Sequence, residues 1–439
     1  MKYLISSFIL PISLLLAACG SDSDNSTVPS PSASLVCSNQ TSDPLADQKA
    51  ELGKQLFFDT NLSRDKNQSC ATCHNPQHGF IDGRINDAST GNHPAPASLG
   101  SNGHSIGDRN APTAAYAAFS GDFRHGIRER SPSQQTSGVG EYQGYLGGQF
   151  WDGRAKDLAA QAGGPPLNPL EMAMPDKASV VARIQENQDY IQLFQTLYGA
   201  DIFTDNDAAY AALADAIGQF ERKDKESFYP FNSKYDRWLS GDYQYDPDSP
   251  ATTGKTRFFS SDFSCSACHQ LRSSNRNKGE IFTSFEYHNI GVPENTSLRA
   301  VNGVAGDFVD LGLALNPMVA EADKAGSEGK FKVPTLRNIA VTAPYMHNGV
   351  FNDLKTVILF YQHAKERALN KPFSVVNPET GVAFRTPEVD RNISDSLLAG
   401  NDKDINDQVA LEFECFLLTL TDQAYEHLLD TEKVEQCGI

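Results

Sequence analysis

Positive charge is scarce in this chain of 439 residues: 37 Lys and Arg stand against 55 Asp and Glu, a formal net charge of -18. A nucleic-acid binder needs Lys and Arg for the phosphates, so that class is excluded. A basic protein partner is compatible with the balance. Tryptophan and methionine are also rare, with two and five copies. Strand-like alternation of polar and apolar residues is sparse, which points to a mainly α fold. After the first residues no run is apolar enough to span a membrane.

The first residues are the exception. Tyr3 to Leu16 is apolar, short for a bilayer span and broken by Pro11. It ends in Leu16-Ala17-Ala18-Cys19, which resembles the lipobox of bacterial lipoproteins. Residues 1–18 then form a lipoprotein signal peptide, and Cys19 becomes the lipidated residue of a periplasm-facing protein. Gly20 rather than Asp at the next position points to the outer membrane. Residues 19–43, rich in Ser and Pro, form the anchor and a flexible tether. The remaining length suits two domains.

Eight cysteines are present. Besides Cys19, three stand alone: Cys37, Cys415 and Cys437. An exported chain is free to pair two of them, and all three pairings are open. The other four form S-C-A-T-C-H (69–74) and S-C-S-A-C-H (264–269). Cys-x-x-Cys-His is the attachment pattern of c-type haem. Cys70 and Cys73, like Cys265 and Cys268, add to the two vinyl groups of one porphyrin edge. A helix starting there turns His74 or His269 beneath the ring to bind iron. A zinc ribbon would also pair two Cys-x-x-Cys units, but at far closer spacing.

Two covalent haems define two cytochrome c-like domains, residues 44–230 and 231–439, both helical. Asp47 is placed to cap a helix carrying Leu52, Leu56 and Phe57. Helical spacing continues over 177–198, 207–220 and 406–420. The turn-rich stretch 233–250 marks the junction, and Trp238 within it reads as structural.

Longer motifs surround the haem sites: E-L-G-K-Q-L-F-F-D and N-L-S-R before the first, then R-N-A-P-T (109–113), G-Q-F-W-D-G-R-A (148–155), L-N-P-L-E-M (167–172) and F-K-V-P-T-L-R-N-I-A-V-T-A-P-Y-M-H-N-G (331–349). From Leu45 to Leu420 the chain resembles the bacterial dihaem cytochrome c peroxidases and their MauG-like relatives. The resemblance implies a peroxidatic haem on His74 and an electron-transfer haem on His269. Glu171 matches the distal glutamate, which moves a proton between the peroxide oxygens. An Arg or Gln partner for it is left unplaced. Ordinary members block the peroxidatic haem with a histidine whose place falls on Ser101; His104 lies three residues further on and reads as a surface-loop residue.

For the second haem two sixth ligands compete. Met346 offers a thioether suited to a high potential. Tyr361 lies on the helix opened by Asp353, on one face with Leu354, Val357 and Ile358. Ordinary members carry methionine at the position of Tyr361 and MauG-like enzymes tyrosine, so the resemblance favours Tyr361. A phenolate favours oxidised iron. The resemblance also places Trp151 between the haems and Ca²⁺ on Asn110, Thr342 and Pro344. His288 and His347 fall near the second haem as supporting residues; His78, His125, His363 and His427 have no motif behind them.

The implied function is a MauG-like peroxidase. It uses H2O2 to oxidise a Trp or Tyr of a partner protein through high-valent haems. The alternative is an ordinary peroxidase reducing H2O2 to water with electrons from a small cytochrome or cupredoxin. A pure electron carrier would not need Glu171. The polar, Gly-rich stretch 122–145 is placed to shape a partner surface, and relatives are often dimers.

Overall fold

The first helix is opened by Asp43, whose carboxylate accepts from the backbone N–H groups of Leu45 and Ala46, and Pro44 occupies its first turn. Asp47, expected as the cap, lies inside that first turn instead. Pro44 explains the shift: it lacks an N–H and has a fixed φ, so it fits the first helical position. In the computed structural model residues 43–129, 140–270, 279–400 and 403–439 are described. Cys19, Cys37, the signal segment and the tether up to residue 42 lie outside them, as does 130–139 of the 122–145 stretch.

The described fold is mainly helical. Helix Pro44–Phe58 packs on helix Asn206–Lys223, and helix Pro250–Phe258 on helix Asp407–Leu418. Both pairs use one glycine in the same way. A Cβ at Gly53 would lie 1.9 Å from the carbonyl oxygen of Ala216, and one at Gly254 1.7 Å from that of Glu412. Only glycine lets the backbones come so close. The surrounding sequences match, G-K-Q-L-F-F (53–58) against G-K-T-R-F-F (254–259). The chain thus repeats a helix pair as well as a haem motif.

Each pair anchors an apolar core. The first includes Leu56, Phe57, Val181, Ile184, Phe194, Ile217, Phe220 and Phe228. The second includes Tyr235, Phe258, Phe282, Ile358, Phe360, Phe413 and Phe416. Residues 43–439 form one unit holding both.

Local chemistry refines the helix boundaries. The periodic stretch 177–198 is two helices, Lys177–Ile184 and Gln188–Tyr198, because Asn187 caps a new start through Asp189 N–H. Apolar spacing survives such a break, so periodicity alone does not reveal it. Within 233–250, Lys234–Ser240 forms a helix opened by a capping box between Ser233 and Asp236. Four short strands occur among the described residues: a hairpin of Arg124–Arg128 with Tyr142–Leu146, and Tyr287–His288 paired with Phe331–Lys332. Of the open cysteine pairings, Cys415–Cys437 is bonded and ties helix Asp407–Leu418 to helix Thr431–Cys437. No described helix is long and apolar enough to cross a membrane.

Candidate active site

The first motif folds as expected from its residues. Ser69 and Thr72 make a capping box, Cys70–Cys73 forms one helical turn, and His74 ends it. His74 Nδ1 lies 3.2 Å from the carbonyl oxygen of Phe80. Donation there fixes the tautomer and leaves Nε2 free for a metal. Burial lowers the affinity of this imidazole for a proton, so it stays neutral, the form that binds iron. Burial also pushes both thiols, Cys70 and Cys73, up to about 12.

These groups line a cavity of about 150 Å³ together with Glu171, Gln161, Arg154, Glu221 and Trp151. Glu171 accepts a 2.8 Å hydrogen bond from the Asn168 side chain. Burial raises its proton affinity, opposed by the charge of Arg154. Glu221 is buried on helix Asn206–Lys223, and burial pushes it up to about 8. Ser101 is buried beside Glu171; its hydroxyl donates to Asn67 Oδ1 and its N–H to the Glu171 carbonyl. His104 is exposed on the same loop and lines neither cavity.

The second motif turns more tightly. Ser264 adopts a left-handed conformation (φ 57°), and Cys265–Ala267 forms a 3-10 turn. His269 Nδ1 lies 3.3 Å from the carbonyl oxygen of Phe282, and burial lowers the imidazole to about 4. The larger cavity, about 330 Å³, is lined by Cys265, Cys268 and His269. Leu354, Val357, Ile358 and Tyr361 of helix Leu354–Ala368 line it too, and so does Met346. Asp353 caps that helix as its sequence predicts. Burial and the nearby thiols of Cys268 and Cys265 push the Tyr361 phenol well up.

The two halves support their histidines alike. The acceptors Phe80 and Phe282 are both left-handed, with φ of 58° and 53°. The preceding carbonyls, of Gly79 and Ile281, accept from Thr113 and Thr335 at 2.6 and 2.7 Å. Each cavity therefore offers two thiols and one imidazole whose protonation burial disfavours, a donor set that fits a covalent haem.

Asn110, Thr113, Phe150 and Trp151 line both cavities and so form the wall between them. The Trp151 indole donates to the Asn110 carbonyl at 2.8 Å. Thr342 and Pro344 line the larger cavity with Asn110. His347 is buried there and stacked on Phe331 at 3.5 Å. Its backbone carbonyl accepts from Asn110 N–H, and burial lowers its imidazole to about 3. His288 is held between Glu286 and Ser394.

A model of the di-haem cytochrome c peroxidase family matches residues 47–244. Over 397 residues the chain is 43% identical to the methylamine utilization protein MauG of Paracoccus denitrificans, covering 90% of this chain and 93% of that protein. The chain belongs to the di-haem cytochrome c peroxidase family. This dihaem peroxidase is also 30% identical to the cytochrome c551 peroxidase of Pseudomonas aeruginosa, over 78% of each chain. Among solved structures, a tyrosine-to-methionine variant of the diheme peroxidase BthA from Burkholderia thailandensis superposes with a TM-score of 0.72 at 25% identity, covering 88% of this chain and 89% of that one. Family membership makes the protein a MauG-like oxidoreductase with two c-type haems.

The dihaem peroxidase site also holds residues that the sequence left unplaced. Gln161 and Arg154 both line the first cavity with Glu171. Arg154 belongs to G-Q-F-W-D-G-R-A, so its motif was visible. Glu221 shares a buried helix face with Ala214, Ile217 and Gly218, a spacing that periodicity could have exposed.

Proposed function

We propose that this peroxidase uses H2O2 to oxidise an aromatic residue of a partner protein, with Glu171 and Tyr361 giving its two haem sites unequal tasks. The observation that carries the reading is the contrast between the cavities: a carboxyl group on Glu171 in the first, a phenol on Tyr361 in the second. The bound haems supply the oxidising equivalents taken from peroxide.

The chain's own groups do the rest. Glu171 takes a proton from one peroxide oxygen and returns it to the leaving oxygen. Asn168 holds the carboxyl group in place, and Gln161 and Arg154 complete the polar side of the cavity. His74 and His269 would hold the haem irons, each ring oriented by the carbonyl at its Nδ1. Tyr361 would hold the second haem as phenolate, in place of Met346, which lines the same cavity. Trp151, in the shared wall, passes electrons between the sites.

A Ca²⁺ ion on Asn110, Thr342 and Pro344 would brace the same wall, since Asn110 also accepts the Trp151 N–H. Amide and carbonyl oxygens are suitable calcium ligands. The periplasm-facing placement is supported by the Cys415–Cys437 disulfide, which needs an oxidising compartment. Cys19 remains the proposed lipid anchor, with the outer membrane as its destination.

The test compares wild type with Tyr361→Met, both loaded with haem. Wild type should give a long-lived oxidised spectrum with peroxide and little turnover of a reduced small cytochrome. Tyr361→Met should lose the long-lived state. Rapid steady-state turnover of the cytochrome by wild type, with no stable oxidised state, contradicts the proposal.

A further inference from the structure

In the first core, the ring beside the histidine's carbonyl partner leads only to phenylalanine. Phe80 stacks on Phe228 at 4.3 Å, and Phe228 meets Phe57 and Phe220. The second core begins alike and then changes. Phe282, whose carbonyl faces His269, meets Tyr235 at 5.2 Å. Tyr235 meets Trp238 at 5.8 Å, Trp238 meets Tyr245 at 5.8 Å, and Tyr245 meets Tyr243 at 5.2 Å. Tyr235 is fully buried, whereas Trp238, Tyr245 and Tyr243 are partly exposed.

This line runs from the second iron ligand to the surface through side chains that can lose an electron. Packing alone does not ask for that chemistry: the ring neighbours off the line, Phe258, Phe259 and Phe416, are phenylalanines. The chain has two tryptophans, one in the wall between the cavities and one on this line.

We infer that Tyr235, Trp238, Tyr245 and Tyr243 form an electron relay between the second haem and a protein donor docked over Tyr243. The inference rests on the peroxidase reading above. Peroxide takes two electrons and two protons to give two waters. Each electron lost by the partner's oxidisable residue enters at Tyr243 and passes inward to the oxidised haem protein. Without a partner, Tyr243 itself is oxidised by one electron and its phenol proton goes to solvent. Lys255 tunes the middle of the relay: its ammonium sits 3.5 Å from the Trp238 ring centre and 3.9 Å from that of Tyr245. A cation over these rings makes an electron harder to remove.

The experiment treats the haem-loaded protein with peroxide and a radical trap, without a partner. Visible spectra follow the reaction, and peptide mass spectrometry locates the adducts. Wild type should carry adducts on Trp238, Tyr245 and Tyr243. Trp238→Phe should keep the spectral response but lose the adducts on Tyr245 and Tyr243. Tyr245→Phe, which keeps the ring, should lose those on Tyr243 while Trp238 is still labelled. Lys255→Gln should increase labelling. A normal spectral response with no adducts on these residues overturns the relay and leaves the peroxidase reading standing. So do adducts on Tyr243 that persist in both variants. A protein whose spectrum does not respond to peroxide overturns both.

Discussion

The two halves that carry the Cys-x-x-Cys-His motifs share their supports and differ in what lines their cavities. Both use a glycine at a helix crossing, Gly53 or Gly254. Both aim a histidine with a left-handed phenylalanine carbonyl, and both pin that loop with a threonine hydroxyl. The linings then diverge. The first cavity gathers Glu171, Gln161, Arg154 and Glu221; the second presents Leu354, Val357, Ile358 and Tyr361. The attachment motif and its supports are therefore a repeated module, and the proposed difference in task rests on the rest of each lining.

The strongest way to break this comparison is to remove one module. Replacing Cys70 and Cys73 with alanine should leave half of the covalent haem and abolish the peroxide response, by haem staining and visible spectroscopy. The same change at Cys265 and Cys268 should also halve the haem but leave a first site that still reacts. Equal loss from both would show that the halves are not functionally distinct.

Next in size is Glu171→Gln, which keeps the shape and removes the base. The peroxide reaction should slow by roughly 10²–10⁴-fold in stopped flow. Burial raises the proton affinity of Glu171, and the form that the proposal requires is the carboxylate. The wild-type rate should therefore fall as pH drops, with its inflection above the ordinary carboxylate range. Glu171→Gln should lose that inflection.

Smaller effects test the shared supports. Gly53→Ala and Gly254→Ala should each destabilise the protein by about 1–3 kcal/mol, because the added carbon meets a backbone carbonyl. Thermal unfolding checks it, and a neutral result at either site would end the parallel there. The disulfide belongs to the second half alone. Cys415→Ser should cost about 2–4 kcal/mol by the same measurement.

Much of this was legible in residues. Cys-x-x-Cys-His names its own chemistry. Helical spacing grouped Tyr361 with Leu354, Val357 and Ile358, the resemblance set it at the second haem, and all four line the larger cavity. Glu171 was visible through L-N-P-L-E-M, and the structure sets it in the cavity of Cys70, Cys73 and His74. Other features depend on contacts between distant segments. The bonded pair among the lone cysteines follows from how two C-terminal helices meet. The shared wall brings Asn110 to Trp151, and no local pattern announces that. The contacts of Trp238 with Tyr245 and Lys255 likewise come from folding and are not announced by its local sequence. The glycine repeat was present in the letters but is spread over two distant copies of a short, ordinary helix sequence.

The most direct measurement adds one equivalent of H2O2 to the fully ferric, haem-loaded protein and records visible and near-infrared spectra with time. A fast reaction with no prior reduction is expected, giving an oxidised state shared by both haem sites, since His104 is exposed and lines neither cavity. No reaction until the second haem has been reduced would contradict it.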